Sequence, residues 1–333
     1  MLKKTASVLK YIIPVGIAFV LLYFAFNNVD FAEFWAKARL VNYWWVVASI
    51  ALSYFSYLLR AYRWNLLLKP LGNPHLKTHR TNVAVLIGYL ANLAFPRLGE
   101  VTRCGILKRN ENVPMANSFG SVITERVIDV ISLLILILFT LLIEYDTLIA
   151  FFSNAFSGIA NIEGLAWKGA LVIIGALLVV GVLIFVAIRS GGRFRIIARQ
   201  LLEGIFSLRK LNNIPGFILS TLLLWVVYYY MSYIIIFAVP ETSHLTWQAG
   251  VMLLVTSGVA LAIPVQGGFG TYHTMISGML MLYSIDKTTG VFFATLLHTS
   301  QIVAIAVFGG VAVLVSLFMK KYSDGPGISQ PAE

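Results

Sequence analysis

The sequence predicts an all-α, polytopic helical membrane protein with about six full spans and two re-entrant hairpins in an inverted-topology repeat. Three observations predict it. Hydrophobic residues make up 59% of the chain and charged residues 12%, with a mean hydropathy of +0.84. A soluble chain of that balance would leave far too much apolar surface in water. Several apolar runs approach the ~20 residues needed to cross ~30 Å of hydrocarbon. Basic residues gather in alternate connections, which orients the spans.

The spans follow in order at about 9–26, 43–59, 127–143, 169–188, 216–238 and 290–319. Lys3, Lys4 and Lys10 precede the first, which reads as a signal-anchor because no small-residue cleavage site follows it. Assigning the basic connections to the cytoplasm places 21 of the 25 Lys and Arg residues inside and both termini cytoplasmic. The acid-bearing segments 27–42, 144–168 and 239–246 read as outside. Residues 1–322 form a single integral membrane domain, and 323–333, rich in Gly and Pro, form a disordered cytoplasmic tail.

Two apolar stretches, about 81–96 and 247–283, do not fit as crossings, because each has both flanks on one side. Each must enter and return. "LAFPRLG" (93–99) and "LAIPVQG" (261–267) share four of seven residues, and each lies in the third apolar element of its half. The halves, about 9–143 and 169–319, start from opposite sides, as in many secondary transporters. Pro96 and Pro264 stop each half-helix; Gly99, Gly267, Gly268 and Gly270 permit the reversal. Irregular backbone at membrane depth must be buried in protein or line an aqueous cavity.

The charges near these turns supply the candidate site. Arg97, Glu100 and Arg103 suit an anion site, since a guanidinium grips phosphate with paired donors; a cytoplasmic loop with an internal ion pair is the plainer reading. In "TERVID" (124–129), which starts the next span, Glu125 and Asp129 share a helix face beside Arg126. Asp129 falls inside an apolar pattern and needs a partner, with Arg97 or Arg103 as candidates. Gln266, Thr271, Tyr272 and His273 could line a polar path, and Gly267 and Gly268 could present N–H groups to an anion or simply make the turn; His298 lies within the last span, where a lone histidine is more often a packing residue than a proton relay. Arg60 and Arg63, with Tyr62 and Trp64, read as an interfacial anchor, a lipid-headgroup contact being the alternative. Trp44, Trp45, Trp225 and Tyr228 to Tyr230 suit span ends, and 189–200 suits a surface helix on anionic lipid.

Several classes are excluded. No Gly-Lys dipeptide occurs, so there is no P-loop; there is no H-E-x-x-H and no G-x-S-x-G. The single cysteine, Cys104, rules out an intrachain disulfide and a cysteine-based zinc site. No cofactor is expected. The net charge of +11 follows from the basic cytoplasmic connections and calls for no nucleic acid.

The combination of R-x-x-R-W at 60–64, "GYLANLAFPRLGEVTRCGILKR" (88–109), "ERVID" (125–129) and "IPVQGGFGTYH" (263–273) resembles the lysylphosphatidylglycerol synthase transmembrane-region family, over about 10–320. The resemblance implies a flippase-like membrane domain that moves lipids between leaflets, without the soluble synthase domain. Relatives often carry Arg-Glu after the second glycine motif, where Thr271, Tyr272 and His273 stand here. The expected activity is transport of a phospholipid or polyprenyl-phosphate lipid, its headgroup passing through a polar groove at the hairpins. Arg97, Arg103 and Arg126 would hold phosphate, while Glu100, Glu125 and Asp129 would hold the arginines or a cationic headgroup. Expected partners are membrane lipids with anionic headgroups, and either a second copy or a separate lipid-synthesising enzyme. An integral membrane enzyme acting on lipid headgroups and a membrane scaffold are the rival readings.

Overall fold

A computed structural model of the 333-residue chain describes residues 16, 19–95, 97–160, 196, 199, 202–203, 206–263, 265–320 and 322. The described residues are helical, without strands. Pro96 and Pro264, the span expected at 169–188, most of the surface helix at 189–200 and the tail at 323–333 lie outside them, as does the start of the first span.

Among the described residues the fold is carried by α1 (Phe31–Leu40), α2 (Tyr43–Leu68), α3 (Thr78–Ala94), α4 (Leu98–Glu111), α5 (Met115–Ile143), α6 (Tyr145–Ala160), α7 (Ile214–Tyr233), α8 (Trp247–Ala262), α9 (Thr271–Met281) and α10 (Lys287–Phe318). Three described helical stretches are long and apolar enough to cross a membrane: Met115–Ile143, Ile214–Ala238 and Lys287–Phe318. On α5, Val127, Ile131, Leu134, Leu138 and Leu142 are exposed at helical spacing, an apolar stripe suited to lipid.

The two interrupted stretches are helical pairs that fold back on themselves. In the first, Arg80 at the foot of α3 bonds Glu111 at the end of α4 across 2.5 Å. Nearer the turn, a Cβ on Gly99 would lie 2.2 Å from the Gly88 carbonyl, so only glycine lets the two backbones meet. In the second, α8 and α9 are joined by a turn in which Gly267, Gly268 and Gly270 all have positive φ, and Ser257 and Tyr272 share a 3.0 Å hydrogen bond across it. The two long helices α2 and α7 pack antiparallel. The Asn42 N–H donates to the Ala238 carbonyl at one end (2.9 Å), and Ser49 Oγ donates to the Met231 carbonyl (2.7 Å) further along.

Two segments differ from the sequence reading. The helix expected to begin at 124 begins at Met115, after Pro114, twelve residues earlier than the apolar span at 127. Its first half is polar, and Asn117, Ser118, Ser121, Thr124 and Glu125 are buried against neighbouring helices rather than facing lipid. Hydropathy registers only the lipid-facing half. The segment after Ile143 is not merely a connection: α6 lays Leu148 and Phe151 into the core. Likewise α1 forms within 27–42, its first N–H groups at Ala32 and Glu33 accepted by Asp30.

Candidate functional site

Four arginines and three carboxylates from α2, α4 and α5 meet in the interior. Arg60 and Arg63 lie one turn apart on α2, so both project toward α5, where Glu125 and Asp129 also lie one turn apart. Glu125 is fully buried and accepts from three guanidinium groups: Arg60 Nη1, Arg63 Nη2 at 3.3 Å and Arg103 Nη1 at 3.0 Å. Asp129 accepts from Arg63 Nη2 at 2.6 Å and Arg60 Nη1 at 3.2 Å, with Arg126 Nη1 at 3.6 Å. Arg60 also donates from Nε and Nη2 to the Tyr228 hydroxyl on α7, at 3.3 and 2.8 Å. The Arg103 guanidinium lies 4.4 Å over the Trp64 ring, and Trp64 Nε1 donates to Ser121 Oγ at 2.9 Å. Burial of so many charges is tolerable only because they pair.

Pairing is incomplete on one side. Arg103 Nη2, Arg63 Nε and Nη1, and Glu100 Oε2 are buried without a hydrogen-bond partner. A small open cleft lies beside Glu100 and Arg103, walled by Val85, Gly88, Tyr89 and Asn92 of α3, Gly99, Glu100 and Arg103 of α4, and Arg126 of α5. Arg126 is the cluster's most exposed member and donates to Glu100 Oε1 at 3.0 Å. The N-terminus of α4 borders the cleft, with Gly99 N–H already taken by Asn92 Oδ1 at 2.6 Å. A helix N-terminus, a buried guanidinium with a free N–H and a second, accessible guanidinium favour an anion.

The structure brings Glu100, Arg103, Glu125, Arg126 and Asp129 together, with Gly99 in the cleft wall. It leaves Arg97 out. That residue occupies the turn with φ +61°, is exposed, and makes no ion pair among the described residues. Asp129 takes Arg60, Arg63 and Arg126 as partners, not Arg97 or Arg103. Arg60, Arg63 and Trp64 are buried, so they are not an interfacial anchor; Tyr62 beside them is exposed. Tyr228, expected at a span end, is a ligand of Arg60. The available signal was the matched spacing of Arg60 and Arg63 against Glu125 and Asp129.

The second hairpin's residues form a separate group. His298 on α10 is hydrogen-bonded through Nε2 to the Gly267 carbonyl at 2.9 Å and stacks on Tyr272 with ring centroids 4.8 Å apart. His273 meets His298 edge-on at 5.2 Å. A Cβ on Gly268 would meet Leu261, and one on Gly270 would meet Leu21 of the helical residues 19–26. Gln266 faces the first hairpin: its Nε2 donates to the Ala94 carbonyl at 2.7 Å and reaches that of Leu93 at 3.4 Å. No group of three or more His, Cys, Asp or Glu residues suited to a metal occurs among the described residues.

The family model described as lysylphosphatidylglycerol synthase TM region matches residues 11–309. No curated protein and no solved structure matches the chain.

Proposed function

Because the chain belongs to the lysylphosphatidylglycerol synthase TM-region family, we propose that this membrane protein is a flippase-like transporter. It moves a phospholipid or polyprenyl-phosphate lipid between leaflets of the cell membrane. The headgroup phosphate enters the cleft between α3, α4 and α5 while the tails stay in the bilayer. The observation that carries this is Arg103: 4% exposed, in the cleft wall, with Nη2 unpartnered. Leaving a buried donor unsatisfied costs about 1–3 kcal/mol, which an arriving phosphate oxygen would recover. Arg126, accessible at the mouth, exchanges Glu100 for the incoming anion.

In this reading the chain is multi-pass with both termini cytoplasmic. The two hairpins are re-entrant elements dipping from opposite faces, and the halves form an inverted repeat. What supports it is the order long helix, hairpin, long helix in α2 to α5 and again in α7 to α10, with α2 and α7 antiparallel. The proposed partners are lipids with anionic headgroups, together with a second copy or a separate lipid-synthesising enzyme. Transport runs downhill or is ion-coupled.

Leaflet exchange of labelled phospholipids in sealed proteoliposomes tests the proposal. Wild type should exchange, Arg126→Ala should lose most of the rate, and Arg97→Ala should keep it. Folded wild type that exchanges no lipid from a broad panel overturns transport; full activity in Arg126→Ala overturns this site.

A further inference from the structure

We infer that Gln266 is a positioning residue that makes the anion cleft of the first hairpin depend on the tip of the second; the inference rests on the cleft being the headgroup site. Gln266 does not line the cleft. It acts on α3, whose last carbonyls have no partner within the helix. The Ala94 and Leu93 carbonyls are two of these, and both face the Gln266 amide nitrogen. That nitrogen carries two hydrogens, enough for both acceptors.

The turn so held contains Asn92, and Asn92 shapes the cleft. Its Oδ1 takes the Gly99 N–H, and a Cβ on Gly99 would lie 2.7 Å from its amide. A shift of the last turn of α3 therefore moves Asn92, Gly99 and the start of α4 together. Arg103 sits one turn further along α4 and moves with it. Gln266 is fixed in turn. It opens a tight turn in which Gly267 has φ +58°, and the Gly267 carbonyl is held by His298 Nε2. His298 belongs to α10, which also packs on α3: a Cβ on Gly309 would lie 2.9 Å from Leu90 Cβ. The succession from His298 through Gly267, Gln266, Ala94 and Asn92 to Gly99 joins the two halves at their tips. The histidine thus sets the latch rather than touching the headgroup.

The test uses full-length protein in detergent with dihexanoylphosphatidylglycerol as the probe, titrated calorimetrically. Gln266→Met keeps the side-chain length and loses the donor; Gln266→Lys keeps a donor. A second readout, independent of ligand, is the distance between spin labels at Leu98→Cys and Leu261→Cys, both exposed positions, in a Cys104→Ser background. The methionine variant should bind roughly fivefold more weakly, the loss expected for one hydrogen bond, and its tip-to-tip distances should broaden. The lysine variant should restore both. Wild-type affinity in Gln266→Met overturns the inference, whatever the distances do. Should wild type itself not bind the probe, the headgroup site falls, and unbroadened distances in Gln266→Met would remove the latch as well.

Discussion

Arg63 and Asp129 meet at 2.6 Å across the contact between α2 and α5, with the arginine side chain fully buried and the aspartate 15% exposed. The Arg63 side chain has no water available to replace the aspartate. Removing one partner of a buried pair costs up to about 3–5 kcal/mol, and without Asp129 the Arg63 guanidinium keeps only its longer contact to Glu125 at 3.3 Å, an acceptor already shared with Arg60 and Arg103. Asp129→Ala should therefore lower the thermal midpoint in detergent sharply, even before transport is assayed. A midpoint within a degree or two of wild type would mean that the arginines find other partners.

Tyr228 on α7 accepts two hydrogen bonds from the cluster. In Tyr228→Phe the Arg60 Nε and Nη2 groups lose their acceptor with no change of shape. Hydrogen bonds to charged groups contribute about 1.5–3 kcal/mol, and the variant should lose that much on unfolding. An unchanged stability would mean that another acceptor replaces the phenol.

Two glycines of α4 should respond oppositely to alanine. At Gly99 the added carbon would meet the Gly88 carbonyl at 2.2 Å and the Asn92 amide at 2.7 Å, so Gly99→Ala must spread the hairpin. At Gly105 nothing lies within 4 Å, and alanine should stabilise the helix by about 0.5–1 kcal/mol. Thermal unfolding of the two variants side by side checks both signs.

Asp286 caps α10 from outside the span, accepting from the Thr289 N–H at 2.9 Å and its hydroxyl at 2.5 Å. Burial pushes its carboxyl upward, but the Thr289 bonds and the Lys37 charge outweigh that and hold it below the usual carboxylate range. A depressed folded-state value means the contribution is present above the unfolded-state value of about 4 and is lost as pH falls through the folded one. Asp286→Asn keeps the cap and should flatten the stability profile below about pH 4. An unaltered acid limb would assign that loss to other carboxylates.

The three acids were legible, as were Arg103 and Arg126; Arg60 and Arg63 were not. Asp129 stood out because a carboxylate inside an apolar run must have a partner. Arg60 and Arg63 did not, because basic residues after any span already have a topological explanation. Their burial depends on α5 running polar for its first half, and that stretch reads as a connection when apolar runs alone define spans. The turns were legible because proline and glycine act locally. The Gln266 contact was not, since a glutamine's partner 172 residues away leaves no periodic trace.

Every charged member of the cluster, from Arg60 to Asp129, lies in the first 129 residues; only the neutral Tyr228 comes later. During synthesis, α2 through α5 can therefore settle their charges among themselves before the second half emerges. The polar load delivered to the bilayer at that stage is close to one net positive charge rather than seven separate ones. The Ala94 and Leu93 carbonyls, by contrast, wait for Gln266, which is made 172 residues after Ala94. Assembly in the membrane thus has an order written into it: charge neutralisation first, closure of the tips last.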